Sequence, residues 1–389
     1  MTFVHAIFGF LGIAGLMISA GFSLTALAAV LIWRKQPRRP CSTTQPRPPT
    51  TLLKPLCGAE PDLYTQLRSF CDQDYPDFQV VFGVRDPADP ALAVVERLIA
   101  EFPSLPIDVV INPQQHGDNY KISNIINMLE RARHDVLVIA DSDAMVGPHY
   151  LGIVTAPLFE PGVGLVTCIY HSVPTETIWS RLGAMYVNEW FVPSVLLARL
   201  FGHRQYASGQ TLCLRRDTLQ AIGGLREIAN HIADDFRLGE LVRGLGQRIA
   251  LSEYEVEVKH HEPSATDLVR HELRWMRTLR VVTPRSFRAM FFSFSLPLAT
   301  LGLLLASLGA HGAIQIAWLL FAVSVAARLS LHVAHRLRRG KPIWADLWLL
   351  PARDALLSWV WWRSFTNSSI TWRGNEFDVD AHGMMRRMA

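Results

Sequence analysis

From Phe3 to Trp33 the chain carries no Asp, Glu, Lys or Arg. About 20 apolar residues cross a bilayer as a helix, a form that pairs every backbone donor and acceptor inside lipid. A cleavable signal peptide is the competing reading, and it fails twice. No basic region precedes the run, and the run exceeds the about 7–15 residues of a signal peptide's apolar core. Residues 3–33 are therefore expected to form a transmembrane signal anchor. Only 19% of the chain is charged and 50% is hydrophobic, against about 25% charged in soluble domains. Arg34-Lys35-Gln36-Pro37-Arg38-Arg39-Pro40 follows and marks the cytoplasmic side. Its prolines make residues 34–50 a semi-extended linker. A net charge of +4 clustered beside apolar spans favours anionic lipid headgroups, and no nucleic-acid partner is expected.

The second half repeats this logic. Thr266 to Arg280 has Val269, Leu273 and Met276 on one face and Arg270, Arg274 and Arg277 on another. That is a basic amphipathic helix of the kind that lies in a membrane interface, within an interfacial segment 266–288. Ala289 to Val333 contains Arg328 as its only Asp, Glu, Lys or Arg. Two spans are expected over 289–333, turning near Gly309-Ala310-His311-Gly312. His335 to Lys341 is basic and returns the chain to the cytoplasmic side, opening a tail over 334–389. Leu347 to Trp362 is apolar but interrupted by Pro351, Arg353 and Asp354. It reads as re-entrant or interfacial, with a fourth span as the alternative, because a charge at the bilayer centre costs about 2.5–3.5 kcal/mol.

Between these membrane elements lies an α/β domain, residues 51–265. Strands are expected at Thr51–Leu56, Phe78–Val84, Ile107–Ile111, Val136–Ala140 and Val163–Tyr170. Helices are expected to start at Pro61, Pro90 and Lys121, the last with Ile122, Ile125, Ile126 and Leu129 at helical spacing. Such alternation argues for a mainly parallel sheet with helices on both faces. The long apolar, aromatic stretch Thr175–Leu200 is either a core helix or the wall of an acceptor pocket. Cys41, Cys57, Cys71, Cys168 and Cys213 are scattered and odd in number, without zinc spacing, so reduced thiols are expected.

The strand Val136–Ala140 stops at Asp141-Ser142-Asp143. Ligands of open α/β sheets bind at that edge, and two carboxylates there suit a hard divalent cation, Mg²⁺ or Mn²⁺, bridging to a diphosphate. By itself a DxD is most often a polar turn. Asp86 and Asp234-Asp235 also fall at loop positions of the same domain, and the basic helix carries His271-Glu272-Leu273-Arg274-Trp275. Asp is a favoured residue at helix starts, so one of the Asp234-Asp235 pair can serve only as a cap. A nucleotide-sugar reaction needs such a set: a carboxylate to orient the nucleotide, one to hold metal, one as general base, and a cation for the departing diphosphate. Arg274 suits the last role; a solvated or lipid-facing arginine is the plain alternative.

In order, Asp86, Asp141-Ser142-Asp143, Asp235 and Arg274-Trp275 resemble the D, D, D, (Q/R)xxRW pattern of membrane-bound inverting glycosyltransferases of the GT-A type. Within that type the chain resembles the ceramide glucosyltransferases. The similar stretches include Leu53-Lys54-Pro55-Leu56, Asp74-Tyr75-Pro76, Val84 to Pro90, Asn119 to Asn124, Gly209 with Cys213-Leu214-Arg215-Arg216, Gly223-Gly224-Leu225 and Ile232-Ala233-Asp234-Asp235. The Pro-rich linker and the tail with Pro351-Ala352-Arg353-Asp354 and Thr371-Trp372-Arg373-Gly374 look more like a bacterial branch. That branch includes hopanoid glycosyltransferases, which add N-acetylglucosamine to bacteriohopanetetrol. The resemblance implies a GT-A catalytic domain, a UDP-sugar donor, a divalent metal, inversion and a membrane-lipid acceptor. It implies a multi-pass protein of the cytoplasmic membrane with its catalytic domain in the cytoplasm. It assigns Asp86, Lys121, Asn124 and Asp141 to the nucleotide-sugar, Asp143 with Asp141 to the metal, and Asp235 to the base with Asp234 beside it. Arg274 and Trp275 would close over diphosphate and acceptor. Two positions depart from the pattern. His271 stands where Gln or Arg is usual, which suggests a pH-sensitive contact. Asp143 keeps a carboxylate where ceramide glucosyltransferase has a small residue. A polysaccharide synthase would carry more spans after the xxRW helix and a Gln at its first position. A non-catalytic scaffold would lack one of the aspartates.

Overall fold

The computed structural model describes residues 2–36, 46–204, 206–309, 311–367, 369–372 and 375–388. Most of the Pro-rich linker (residues 37–45), Ala310 of the expected turn, and Arg373-Gly374 of the tail lie outside the described residues. The chain divides into two compact units. One comprises Pro37–Val173, Arg204–Lys259 and Ser369–Ala389, and the other Met1–Gln36, Pro174–His203 and His260–Ser368.

In the first unit, eight strands form one sheet: β1 (Thr50–Pro55), β2 (Phe78–Val84), β3 (Ile107–Ile111), β4 (Val136–Ile139), β5 (Ala144–Met145), β6 (Val163–Pro174), β7 (Leu212–Arg215) and β8 (Arg248–His260), in the order β3-β2-β1-β4-β7-β6-β8-β5. The fold is mixed α/β, as the alternating pattern requires. β3, β2, β1 and β4 are parallel, while β4–β7, β6–β7 and β5–β8 pair antiparallel. Successive side chains point to opposite faces of a strand, and both faces are apolar. Leu52, Val80, Phe82 and Val138 meet Leu67, Phe70, Val95, Leu98 and Val154 on one side. Leu53, Val81, Leu137 and Ile139 meet Ile122, Ile125, Met128, Leu238 and Val242 on the other.

The helix that begins near Lys121 spans Tyr120–Met128 and ends short of Arg133. Its N-cap is Asn119, whose side chain accepts from the Ile122 amide at 3.1 Å and satisfies a donor the helix leaves unpaired. At the far end of the chain, Ile370–Trp372, Asn375–Val379 and Met385–Arg387 make a small antiparallel sheet. It clips onto the loop ahead of Asp234 through Ile232 N to Gly383 O (3.0 Å) and Met385 N to Asn230 O (2.8 Å). Nothing in the apolar patterning marked this hairpin.

The second unit is helical. Thr2–Lys35 and Ile314–Arg338 are long and apolar enough to cross a membrane. Between them, Pro284–Ser293 and Ser295–Gly309 form a pair bent by 64°. The expected first span of the 289–333 segment is thus a broken one; Ser295–Gly309 has 15 residues, about 22 Å at helical rise and short of a ~30 Å core. Small residues let its backbone approach Thr2–Lys35 closely, as in membrane helix pairs. A Cβ on Gly12 would lie 2.3 Å from Ala306 N, and one on Gly302 2.9 Å from Gly12 O. Ser19 Oγ donates to Ser295 O and Ser23 Oγ to Ser295 Oγ, both at 2.8 Å. Arg34 Nη1 donates to Ala334 O at 3.2 Å, so the basic ends of the two long helices meet.

Arg328, the charge inside the apolar segment, is 4% exposed and fully engaged. Its guanidinium donates to Glu189 Oε2 (2.9 Å) and to both oxygens of Asp354 (2.9 and 3.0 Å), while His332 Nδ1 bonds Glu189 Oε1 at 2.8 Å. Glu189 lies in a π-helical turn, Val187–Phe191, inside the helical stretch from Ile178 to Leu200. The interrupting residues of the 347–362 stretch therefore have partners. Asp354 serves Arg328, and buried Arg353 makes a bidentate pair with buried Glu272. The helix that holds them, Leu350–Arg363, has 14 residues.

Candidate active site

Parallel pairing sets the carboxyl ends of β1, β2 and β4 along one edge, where the polar residues collect. β4 and β7 run antiparallel with Ile139 opposite Leu212. The loop that enters β7 therefore crosses the point where β4 ends. Ser208-Gly209-Gln210 is that loop, and Gly209 O accepts from Asp141 N at 3.2 Å. The glycine is required by proximity: a Cβ there would sit 2.7 Å from Asp141 Oδ2 and 2.8 Å from Lys121 Nζ. Gly209 N in turn donates to Asp235 Oδ2 at 3.0 Å. A single residue thus ties the DxD to the expected base.

Lys121 joins the third element. Its Nζ lies 2.7 Å from Asp141 Oδ1 and 3.2 Å from Asp234 Oδ2. Burial works against its charge, but Asp141 and Asp234 more than offset that and hold its pKa above the ordinary lysine value. Asp234 and Asp235 occupy the first turn of helix Asp234–Gly244, after an N-cap at Ala233 that has no side-chain bond. Asp234 thus faces Lys121 instead of capping, and Asp235 Oδ1 accepts from the next amide, Phe236 N, at 2.7 Å.

The site carries more negative than positive charge, and its acids show it. Burial, with Asp141 and Glu60 nearby, pushes the Asp143 carboxyl up to about 7. Burial and the neighbouring Asp234 push Asp235 up to about 6, against the pull of Lys121. Lys54, near the end of β1, is fully buried, its pKa lowered to about 7 by burial. Its ammonium bonds the Asp141 carbonyl and lies 3.6 Å from the centroid of the Phe70 ring. Asp143 Oδ1 is buried with no hydrogen-bond partner among the described residues. A buried, unsatisfied oxygen among excess carboxylates fits a hard cation.

Asp86 stands exposed past the end of β2, its Oδ1 accepting from Ala88 N at 2.8 Å. Arg85 beside it stacks over Tyr120, 4.2 Å from the ring centroid. Asn124 is 3% exposed, and its Nδ2 donates to Gly83 O at 2.8 Å, which anchors the helix to β2. Lys54 and Gly209 emerge as site residues that motif spacing had not assigned. In the sequence, Gly209 stood only within one of the stretches that carry the family resemblance, with no role assigned to it.

His271, Arg274 and Trp275 belong to the helical unit, on Ala265–Val282, whose N-cap Ser264 accepts from Asp267 N at 3.2 Å. Trp275 stacks on Tyr186 (centroids 5.2 Å, planes 22° apart) and contacts His271 (4.1 Å). His271 Nδ1 bonds Glu262 Oε1 at 2.6 Å. Burial and the Arg274 charge lower the His271 pKa to about 3. The partner His271 has among the described side chains is thus Glu262, with Trp275 against its ring.

Known proteins agree with this architecture. The profile described as Glycosyl transferase family 21 matches residues 13–385. Ceramide glucosyltransferase 1 of Caenorhabditis elegans is 22% identical over 206 residues, 53% of this chain and 44% of that protein. Ceramide glucosyltransferase of Komagataella phaffii is 32% identical over 111 residues, 26% and 22% of the two chains. The chain thus spans about half the length, or less, of the curated relatives it matches. Among solved structures, a mannosyltransferase from Pyrobaculum calidifontis in complex with GDP-Man and Mn²⁺ superposes with a TM-score of 0.52 at 18% identity, covering 90% of this chain and 99% of that one. This is a likeness of fold.

Proposed function

We propose that this chain, which belongs to glycosyl transferase family 21, moves a sugar, with inversion, from a UDP-sugar to a hydroxyl of a membrane lipid. The observation that carries this reading is the Lys121–Asp141–Asp234 network joined through Gly209 to Asp235 at the carboxyl edge of the sheet. Asp86 would receive the base and ribose. Lys121 and Asp141 would hold the nucleotide-sugar. Asp143, with Asp141, would bind Mg²⁺ or Mn²⁺, whose charge offsets that of the diphosphate. Asp235 would take the proton of the acceptor hydroxyl as its oxygen bonds to the anomeric carbon and the bond to the diphosphate breaks, releasing UDP. A carboxyl held at about 6 is ionised at neutral pH yet more basic than an ordinary aspartate. Arg274 would offset charge on the leaving diphosphate and Trp275 would stack on sugar or acceptor.

For the acceptor, the bacterial character of the tail favours a hopanoid, bacteriohopanetetrol, and N-acetylglucosamine as the sugar. A second reading, glucose onto ceramide, is favoured by the names of the curated relatives. The protein would sit in the cytoplasmic membrane with the α/β unit on the cytoplasmic side; the meeting of Arg34 with the end of Ile314–Arg338 supports a shared side for both basic clusters. Mass spectrometry of lipids from a deletion strain tests the assignment. Loss of an N-acetylhexosaminyl hopanoid supports the first reading and loss of a hexosylceramide the second; an unchanged glycolipid profile refutes both. Chelation should stop turnover and added Mn²⁺ should restore it, whereas full activity in chelator would remove the metal role of Asp143.

A further inference from the structure

Where β8 ends and the Ala265–Val282 helix begins, three side chains able to bind a metal lie close together. His260, Glu262 and His271 each offer one donor atom, and these atoms lie within 4.8 Å of one another. Glu262 Oε1 is the centre: His271 Nδ1 lies 2.6 Å away and His260 Nε2 3.4 Å away. The His260 ring is 5% exposed, and its Nε2 is buried with no hydrogen-bond partner among the described residues. A buried ring nitrogen without a partner is costly in a finished core.

The surroundings hold the three donors in place. The backbone of Glu262 is clamped on both sides: its amide donates to Ser180 Oγ at 2.7 Å, and its carbonyl accepts from Thr177 Oγ1 at 2.6 Å. The His260 and His271 rings lie parallel, 2° apart with centroids at 5.6 Å. Room beside Nε2 depends on Gly183, where a Cβ would lie only 2.1 Å from that nitrogen.

We propose that His260, Glu262 and His271 form a binding site for a transition-metal cation of the Zn²⁺ class, separate in its ligands from Asp141 and Asp143. Two imidazoles and one carboxylate are a known zinc donor set that leaves one coordination position open. With metal–donor bonds of about 2.0–2.2 Å, tetrahedral donors stand about 3.3 Å apart. The His260–Glu262 spacing of 3.4 Å already meets this. The His271–Glu262 spacing is that of a hydrogen bond and opens by under about 1 Å when the metal replaces the shared proton. The ion would fasten the first turns of the helix to the segment after β8 and fix the ring against which Trp275 rests. His271 is a ligand here, which gives a reason for histidine where the resembling families carry Gln or Arg.

The test uses the full chain in detergent, stripped with chelator and titrated with Co²⁺, whose visible ligand-field bands report a nitrogen- and carboxylate-bound ion. The proposal predicts a saturable signal that persists in Asp143→Asn and is displaced by Zn²⁺. His271→Gln and Glu262→Gln should weaken it by at least the ~10–100-fold that losing even an outer-shell partner costs. Zn²⁺ should also raise the unfolding temperature of Asp143→Asn, a readout that needs no ligand variant to fold. Absence of both the signal and the thermal shift in Asp143→Asn would overturn the site. Undiminished Co²⁺ binding by a folded His271→Gln would overturn its ligand set.

Discussion

Replacing Gly209 by alanine adds one methyl group at the junction of the proposed donor and base residues. Its Cβ would lie 2.7 Å from Asp141 Oδ2 and 2.8 Å from Lys121 Nζ, where ordinary contacts begin at 3.4 Å. Both groups must retreat by about 0.6–0.7 Å. A 1 Å misplacement near the chemistry costs about 10²-fold, so this displacement should cost about 10–50-fold in kcat, or about 1.4–2.3 kcal/mol of barrier at 1.36 kcal/mol per decade. Gly209 is not at a positive φ, so alanine strains no backbone and the unfolding temperature should hardly move. The assay is UDP release in detergent micelles with lipid acceptor, giving kcat and KM beside a thermal melt. Wild-type kcat in a folded Gly209→Ala protein would refute the idea that this loop sets the spacing of Lys121, Asp141 and Asp235.

Two further outcomes follow from the electrostatics and the buried pairs. With Asp235 at about 6, kcat/KM should fall about tenfold per pH unit below that value, as the base becomes protonated; a profile flat from pH 7 to 5 would contradict it. The sign for stability is opposite. Because the folded-state pKa lies above the ordinary ~3.9, the folded chain holds this proton more tightly, and that contribution is present below about 3.9 and lost as pH rises through 6. Arg353→Leu leaves Glu272 buried without its bidentate partner and should cost about 3–5 kcal/mol. The double change to Leu at both positions should melt higher than the single, and the reverse order would show that the pair does not act as a unit.

The local patterns were readable in the sequence. β4 is four buried apolar residues followed by the DxD, and helix Tyr120–Met128 shows its buried face by spacing alone. What required the fold was anything set by pairing. Gly209 matters because Leu212 stands opposite Ile139, a register that no local pattern encodes. Arg328 and Asp354 each looked like an interruption of an apolar run, yet they are partners 26 residues apart, with Glu189 139 residues from Arg328. Asp234 looked like a cap by residue type, but its place in the first turn and the position of Lys121 gave it an ion pair instead. The C-terminal hairpin was missed because short, half-exposed strands of mixed polarity carry little periodicity.

The central claim is that Asp235 is the base of a transfer reaction whose donor is held by Asp141 and Lys121. Its most direct test is Asp235→Asn, measured for UDP-sugar binding by calorimetry and for single-turnover transfer to the lipid acceptor. The account predicts donor affinity within a few-fold of wild type and transfer lost by about 10²–10⁴-fold, the usual contribution of a positioned general base. Transfer at the wild-type rate with the asparagine in place would contradict it.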